Sequence, residues 1–392
     1  MIAGGGYAGL CLALFLNKFG IKSTVYEAYA EMKDAGAALT IAPNGMNVLA
    51  QLGLHKEVIK AGQVIDYYNF KNHKGKLLAR LDLKAAEKFG QPFVVITRSA
   101  LHRLLYVHAI ASGIKIIFNK KLSDIKQDPA RVAAIFEDGS HAEGSLLIGA
   151  DGIHSAVRGV IFDDKYKEVY TGFYGAGGIA PKQSLGNGIN ASDDKAMTFT
   201  FGLKGFMGCS PMNNREMLWW CNVEADEQEV KQKFSGMSNG NLKKMIADDY
   251  ADFDKPAPQL IENSDKLVKT MIYDMPGMPQ WYKGRVLLIG DAAHAVSPTS
   301  GVGASLALED AMMLGKLLSE YSADDYQKVF FEFQSLRKPR TEKVRYEANK
   351  RNSEKKVLTP FQAKIRDWMM LVFLRLFGFK SMDWQYNYKI DL

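Results

Sequence analysis

Four short segments of the chain carry residues that could bind the phosphates and sugar hydroxyls of a ligand. The first is Gly4–Gly9, with the sequence GGGYAG, a GxGxxG match that opens an apolar helix. Glycine lets the backbone turn tightly and approach a pyrophosphate, whose charge is met by free amides and the positive helix end. Glu27 lies 18 residues beyond Gly9, at the end of the next predicted strand, where a carboxylate can bind a ribose. Together these features predict a dinucleotide site.

A carboxylate follows each of two other predicted buried strands. Asp151 opens the sequence DGIHSAVR after the strand Leu146–Ile148, and Asp291 lies in the sequence GDAAH after the strand Arg285–Ile289. Such a carboxylate can bind a sugar hydroxyl or cap the following helix. Both alternatives stay open for Asp151, whereas a second glycine-rich helix start at 298–303 favours a ligand role for Asp291.

The fourth segment places Arg98 at the start of a predicted helix that continues through Leu101. The helix dipole disfavours a cation at this end, so an arginine there indicates a nearby anion. A solvated surface arginine is the simpler alternative. His294 is interpreted as a structural neighbour of the Asp291 loop rather than as an acid or base.

The order of the predicted elements indicates a Rossmann-like α/β domain interrupted by an insertion. A βαβ pattern opens the chain with the helix Leu10–Phe19 and the strand Lys22–Tyr26. Strands with one helix, Glu227–Phe234, follow between residues 170 and 272, and the α/β pattern resumes before a helix that starts at Gly303. We therefore expect a split nucleotide-binding domain at 1–169 and 273–335, a mostly antiparallel sheet domain for substrate binding at 170–272 and a C-terminal helical region at 336–392.

Composition excludes several classes of protein. The 392 residues are 47% hydrophobic and 24% charged, which excludes a disordered chain. The net charge of +7 comes from the C-terminal region, because residues 337–392 hold 14 basic and 6 acidic residues. No block of like charges indicates nucleic-acid binding, and three separated cysteines argue against a disulfide scaffold or a metal site.

The N-terminus predicts no secretory signal peptide, because it lacks a basic region that leads into an apolar run and a cleavage site. We therefore expect a cytoplasmic protein, monomeric or homodimeric. Only Met1, Ile2 and Ala3 precede the glycine turn, which would fit a truncated start. The longest apolar run, Trp368–Phe379, is interrupted by Arg375 and is shorter than the roughly 20 residues that cross a bilayer.

Taken together, the four segments resemble the single-component FAD-dependent aromatic monooxygenases. This family contains p-hydroxybenzoate and salicylate hydroxylases and the tetracycline-inactivating monooxygenases. The resemblance runs in the family's order from GGGYAGL at residue 4 to GDAAHAVSPTSGVGASLALEDA at residues 290–311. Gly36–Leu39 and Pro43–Gly45 resemble the family's flavin-loop segment, and Asp383–Tyr386 resembles the closing segment of salicylate-hydroxylase-type members.

The resemblance implies FAD as cofactor and NAD(P)H as cosubstrate, with NADPH favoured. It implies that Glu27 binds the adenosine ribose, that Asp291 binds ribityl or phosphate oxygens, and that Arg98 contacts the phosphate or ribityl region. Asp151 would serve both FAD and NADPH, with Arg158 holding its turn. The implied cofactor-binding residues are Gly4, Gly6, Tyr7, Ala8, Gly9, Glu27, Ala38, Arg98, Leu122, Asp151, Asp291, Pro298, Gly301, Val302 and Gly303.

Two positions depart from the family's pattern. Val302 stands where many members have a glutamine in the loop along the isoalloxazine ring, so one polar contact is missing. Lys33 and Asp34 stand where many members have an arginine used by FAD or NADPH.

The implied reaction is hydroxylation of an aromatic or polycyclic phenolic small molecule by a C4a-hydroperoxyflavin formed from O₂. A tetracycline-type antibiotic is one candidate substrate, and no catalytic side chain is required. We expect substrate contacts from Phe201, Met207, Trp220, Pro298 and Thr299, although aromatic strand residues are commonly ordinary core. The alternatives are a flavin-binding sensor or membrane-associated module without turnover, and an FAD-dependent halogenase, whose WxWxIP motif Trp219-Trp220 does not satisfy.

The C-terminal region is predicted to turn helical after Pro339, and Pro360 begins a final segment. Residues 361–380 place apolar side chains at amphipathic helical spacing between basic ones. This helix could close over the substrate pocket, make weak peripheral membrane contact, or pack across the two domains.

Overall fold

Glycine turns and short β-branched segments alternate with apolar helices along the first 150 residues, and a parallel sheet forms from them in the computed structural model. The structure describes residues 1–31, 38–188, 193–353, 357–378 and 380–391. Lys33, Asp34, Gly36 and Ala37, which the resemblance connects with flavin or NADPH contacts, lie outside these residues.

The strands of the described residues are β1 (Ile2–Ala3), β2 (Thr24–Tyr26), β3 (Ala38–Ile41), β4 (Gln63–Ile65), β5 (Tyr67–Asn72), β6 (Leu77–Asp82), β7 (Phe93–Thr97), β8 (Lys115–Ile117), β9 (Leu122–Gln127), β10 (Val132–Phe136), β11 (His141–Gly144), β12 (Leu147–Gly149), β13 (Val169–Pro181), β14 (Ala196–Phe201), β15 (Gly205–Pro211), β16 (Glu216–Glu224), β17 (Leu267–Asp274), β18 (Tyr282–Lys283) and β19 (Val286–Leu288).

The α-helices of the same residues are α1 (Tyr7–Lys18), α2 (Pro43–Gln51), α3 (His55–Ala61), α4 (Ala85–Phe89), α5 (Arg98–Ala111), α6 (Ala156–Ile161), α7 (Glu227–Phe234), α8 (Asn239–Asp249), α9 (Ala257–Glu262), α10 (Asp291–His294), α11 (Gly303–Glu320), α12 (Tyr326–Ser353), α13 (Pro360–Phe377) and α14 (Asp383–Tyr386).

A six-stranded sheet in the order β18-β19-β12-β1-β2-β8 lies at the centre of the α/β layer. β1 has two residues, yet it pairs in parallel with strands on both sides, with Ile2 opposite Ile148 and Val25. β12 pairs in parallel with β19. The carboxyl ends of β2, β1, β12 and β19 therefore meet at one edge of the sheet. The predicted α/β class with a Rossmann-like layer is confirmed.

A seven-stranded sheet in the order β17-β13-β16-β15-β14-β5-β6 forms the second layer. Its neighbours pair antiparallel except β14 and β5, which are parallel. Five of its strands come from residues 169–274, whereas β5 and β6 come from residues 67–82. The domain boundaries stay a prediction, and two strands join this sheet from outside the predicted range 170–272.

The helices α1 and α11 pack closely because glycine and alanine at the contact leave room for the neighbouring chain. A Cβ on Gly315 of α11 would lie 2.8 Å from the Cβ of Phe15 in α1. Near the starts of both helices, a Cβ on Gly290 would lie 3.2 Å from the Cβ of Ala8 and 3.3 Å from that of Ala307. This packing holds the N-termini of the two helices next to the same turn.

α12 begins at Tyr326 and runs through Pro339, so the prediction that helix begins after Pro339 is wrong. A proline inside a helix removes one hydrogen bond and costs about 3 kcal/mol. The flanking arginines oppose this cost, since Arg337 and Arg340 both form ion pairs with carboxylates of α11. The spacing of residues within one helix does not reveal ion pairs that form with a separate helix.

These ion pairs form a buried charge network on α11. Arg337 lies 2.7 Å from both the Glu309 and the Asp310 carboxylates, and Arg340 pairs with Glu309 at 2.7 Å. Asp310 also accepts from the backbone N–H of Gly290 at 2.8 Å. Glu309, Asp310 and Arg337 have no solvent exposure. The network therefore ties α12 to α11 and to the turn that precedes Asp291.

Burial alone raises the pKa of Asp310, but the charges of His294 and Arg337, with hydrogen bonds from His294 and Gly290, bring it down to about 2. Because this pKa lies below its ordinary value of 3.8, the ionised Asp310 stabilises the fold at neutral pH. That contribution is lost as the pH falls through about 4 towards 2.

α13 confirms the predicted final helix, which starts at Pro360 and is capped by Thr359. It packs on β6 and on the turn after β14, where Arg366 donates to the carbonyl of Gly202 at 2.8 Å. Asn72 donates to the Asp367 carboxylate at 3.0 Å. Among the helices that the structure describes, none has both the length and the apolar character needed to cross a bilayer.

We expect Arg337→Ala to lower the free energy of unfolding by about 3–5 kcal/mol, because it leaves two buried carboxylates without their shared cation. Denaturant unfolding followed by circular dichroism measures this change. Lys328→Ala on the exposed side of the same helix is the control, with an expected loss below about 1 kcal/mol. Similar losses for the two variants would contradict a structural role for the network.

Candidate functional site

The predicted ligand-binding residues meet at one edge of the six-stranded sheet. Glu27 follows β2, Gly4 follows β1, Asp151 follows β12 by two residues, and Asp291 follows β19 by three. Gly4 has a φ of +104°, and a Cβ there would lie 2.4 Å from the carbonyl oxygen of Ala150. Only glycine fits this turn, so the first two segments touch each other directly. Ligands of open α/β sheets bind at such an edge.

The GxGxxG turn is tightly packed at Gly9 but leaves open space beside Gly6. A Cβ on Gly9 would lie 2.0 Å from the carbonyl oxygen of Gly4, whereas a Cβ on Gly6 would meet no atom within 4 Å. Gly6 is the N-cap of α1 and provides no side-chain cap, and the first turn holds no acidic residue. The helix start can therefore receive an anion such as a pyrophosphate.

Glu27 accepts one backbone hydrogen bond on each carboxylate oxygen, from Gly5 at 2.7 Å and from Tyr29 at 3.0 Å. These bonds hold it beside the turn, and each oxygen keeps a further lone pair for a sugar hydroxyl. The sequence reasoning missed His102, whose Nε2 lies 2.6 Å from the carbonyl oxygen of Gly5. His102 comes four residues after Arg98 on α5, and this helical spacing is the signal that could have revealed it.

Asp151 has a structural role in the turn before α6. One oxygen accepts from the Ser155 hydroxyl at 2.5 Å, and the other accepts from the backbone of Val157 at 3.0 Å. Ser155 is the N-cap of α6. The buried Arg158 donates to the carbonyls of Ile153 at 2.6 Å and Ala292 at 3.1 Å, which joins this turn to the Asp291 loop. A ligand role for Asp151 stays a prediction.

Asp291 and Arg98 form the polar part of the site. Asp291 is exposed to solvent, while protein atoms around its carboxylate partly desolvate it. Desolvation raises the pKa of Asp291, and the charges of His294 and Arg98 partly oppose that effect. Arg98 is exposed at the start of α5, and within the described part of the chain no carboxylate forms an ion pair with it. Both groups can therefore bind a polar ligand.

His294 is a structural neighbour, as interpreted from the sequence. Its Nε2 lies 2.6 Å from the Asp310 carboxylate, and the side chain is buried. Tyr7 also contributes locally, because its hydroxyl donates to the carbonyl of Arg98 at 3.2 Å. Leu122 packs into the main apolar core at the start of β9, and Ala38 is half-buried at the start of β3.

The glycine loop directs a second helix start towards the site. Pro298–Ser300 form one 3₁₀ turn, and Gly301 follows with a φ of +68°. Val302 is the N-cap of α11, which has no side-chain cap and no acidic residue in its first turn. The amides from Gly303 onward can therefore face a ligand with developing negative charge. Gln385 of α14 fixes the loop by donating to the Ser300 carbonyl at 3.1 Å.

An aromatic face of the seven-stranded sheet lies opposite this loop. Val302 belongs to an apolar cluster that includes Met197 and Leu218, with Phe199 and Trp220 packed against it. We call this surface the aromatic face, and its members are Tyr68, Phe70, Phe199, Phe206 and Trp220. The ring centroid of Phe199 lies 5.2–6.2 Å from those of the other four.

The predicted substrate residues separate between two sides of the sheet. Trp220 lies on the aromatic face, where its ring covers Gly208. Met207 lies on the other side, in a cluster with Trp219 and Tyr250, because successive side chains of a strand alternate. Phe201 is buried on the same side as Trp220, with its ring 5.2 Å from that of Phe206 and 5.6 Å from the Arg366 guanidinium of α13. Pro298 is exposed and Thr299 is half-buried in the 3₁₀ turn.

The fold, with its parallel six-stranded sheet and mostly antiparallel seven-stranded sheet, and this site define a flavin-dependent oxidoreductase. The profile of the family described as "FAD binding domain" matches residues 1–347, and the chain belongs to that family. The predicted class of FAD-dependent monooxygenases is confirmed, with FAD as its cofactor.

Curated relatives match most of the chain. Aurachin C monooxygenase/isomerase of Stigmatella aurantiaca is 29% identical over 81% of this chain and 80% of its own length. The 3-amino-4-hydroxybenzoate 2-monooxygenase PtmB3 of Streptomyces platensis is 28% identical over 99% and 95%.

Two solved structures share the fold. The crystal structure of Klebsiella pneumoniae HpxO complexed with FAD and uric acid has a TM-score of 0.85 at 24% identity, covering 98% of this chain and 96% of that one. The tetracycline destructase Tet(51) has a TM-score of 0.70 at 21% identity, covering 100% and 98%.

The residues present fit FAD. The open approach at Gly6 and the uncapped start of α1 suit a pyrophosphate, and Glu27 suits the ribose. Asp291 can accept hydrogen bonds from the ribityl chain, and the uncapped start of α11 suits an electron-accepting ring.

We expect Asp291→Ala to raise the Kd for FAD at least tenfold. A hydrogen bond to a charged group contributes about 1.5–3 kcal/mol, and 1.4 kcal/mol corresponds to a factor of ten. Titration of the apoprotein with FAD, followed by flavin fluorescence, measures the affinity. Asp248→Ala, an exposed carboxylate on α8, is the matched control and should bind FAD normally. Full flavin retention by Asp291→Ala would contradict the role assigned to this residue.

Proposed function

We propose that the protein hydroxylates a small, electron-rich aromatic ring bound between the glycine loop and the aromatic face. In the net reaction, one ring C–H becomes C–OH, the second oxygen atom leaves as water, and NAD(P)H is oxidised to NAD(P)⁺. Bound FAD supplies hydride acceptance and oxygen activation. The observation that carries this proposal is the aromatic face opposite Val302.

The aromatic face would bind the substrate ring through apolar contacts and exclude water. Its members offer no carboxylate, imidazole or amine, and burial raises the pKa of Tyr68 well above its ordinary value. Tyr68 would therefore remain protonated and could not act as a base at neutral pH. With no base on this face, the ring must be activated by its own hydroxyl or amino substituents.

The name of one relative supports such a substrate. The name of PtmB3 describes a ring that carries both an amino and a hydroxyl group. A polycyclic phenol of the tetracycline type stays a second candidate, since the destructase Tet(51) shares the fold, although at the lower TM-score of 0.70. We therefore propose single-ring aminophenols and phenolic acids as substrates ahead of tetracyclines.

A substrate screen tests this proposal. FAD-loaded protein is mixed with aminohydroxybenzoates, hydroxypyridines, quinolones or tetracyclines, and NADPH and NADH oxidation is followed beside product mass. We expect at least one aromatic compound to accelerate NAD(P)H oxidation and to gain one oxygen atom. A protein that binds FAD but responds to no compound would support the alternative of a flavin-binding sensor without turnover.

We expect Trp220→Ala to raise the KM for that substrate about tenfold or more, because burying an aromatic side chain contributes about 1.5–3 kcal/mol. FAD content should stay unchanged, since Trp220 lies on the sheet and not at the predicted FAD-binding residues. Met207→Leu, a conservative change on the opposite side of the same sheet, is the control and should leave KM unchanged. Equal effects of both changes would place the substrate elsewhere.

A further inference from the structure

The outward side of α13 is an apolar stripe. Its members are Phe361, Ile365, Trp368, Met369, Phe373 and Leu376, which are 42–72% exposed and recur at helical spacing. Soluble proteins rarely expose contiguous apolar patches larger than a few hundred Å², and larger patches mark interaction sites. We use the name α13 stripe for these six residues.

The polar side chains of α13 are not distributed evenly around the helix. Asp367 is the single acidic residue between 360 and 377, and it faces the sheet, where Asn72 and Arg366 bind it. Arg366 also faces inward, towards the carbonyl of Gly202. Lys364 is exposed beside the stripe. The outward side therefore combines large apolar groups with positive charge.

The segments next to α13 extend this positive charge. Exposed lysines are found in the turn between β5 and β6, in the turn after β14, in α13 and just after it, and they are Lys74, Lys76, Lys204, Lys364 and Lys380. Carboxylates lie at the same border as well. Glu224 accepts from the backbone of Val357, and Asp254 accepts from that of Lys255. Asp252 lies 3.8 Å from the His73 imidazole, and the charge of Lys204 acts on Asp249. The five lysines thus slightly outnumber these four carboxylates around the stripe.

We propose that the α13 stripe docks on the surface of an anionic lipid bilayer, with the helix lying in the plane of the interface. Aromatic and aliphatic side chains would enter the boundary between headgroups and acyl chains, while the surrounding lysines bind anionic headgroups. A second copy of this chain fits less well, because a two-fold interface would bring the same lysine-rich borders together. This inference is independent of the proposed substrate.

Vesicle co-sedimentation of the full, FAD-loaded protein tests the docking. We expect binding to vesicles of phosphatidylcholine that contain phosphatidylglycerol, at least tenfold weaker binding to phosphatidylcholine alone, and further weakening by added salt. Wild-type protein that stays in the supernatant with both kinds of vesicle overturns the proposal.

The variants Trp368→Ser and Phe361→Ser remove exposed aromatic groups from the stripe, and we expect each to lower vesicle partitioning at least tenfold. Phe331→Ser is the matched control, since Phe331 is 62% exposed on α12 outside the stripe, and it should bind like wild type. Thermal unfolding and FAD content confirm that each variant is folded.

Two results would overturn the lipid assignment. One is unchanged vesicle binding by both stripe variants. The other is a wild-type dimer in sedimentation velocity that Trp368→Ser converts to monomer, because this would assign the stripe to a second copy. Both readouts are separate from turnover, so they do not depend on the success of the substrate screen.

Discussion

The buried carboxylate pair of α11 is the interaction on which the rest of the structure depends. Glu309 and Asp310 are adjacent in sequence and have no solvent exposure, which is tolerable only because Arg337 and Arg340 neutralise them. An unpaired buried charge costs several kcal/mol. The network therefore requires α11 and α12 to assemble together, since neither half is stable when buried alone.

This network extends to both sides of the predicted flavin site. Asp310 holds the backbone of Gly290 and the ring of His294, so it positions the turn that carries Asp291. Arg340 donates to the carbonyl of Gln385 at 2.8 Å, and Gln385 in turn holds the glycine loop. One cluster of charges thus sets the positions of the loops that face the cofactor and of the closing C-terminal segment.

The sequence was sufficient where the signal is local. α7 begins and ends at the predicted residues, and Asp226 fixes its start as the N-cap. The glycine motifs located the strand ends because no other residue fits Gly4 or Gly9. It was insufficient where distant segments meet. Alternation along a strand separates two sides but does not say which one faces the glycine loop, so Met207 was grouped with Trp220.

The pairing of β1 also determines how the chain can fold. β1 is bound on one side by β12, so that Ile2 meets Ile148, and β12 is bound by β19 through Leu147 and Val286. In the sequence, all strands of the seven-stranded sheet lie between β1 and β19. Contacts of such long sequence separation form slowly. During synthesis, the N-terminal strand gains its first partner, β2, early, but the central sheet is completed only after residue 288 has left the ribosome.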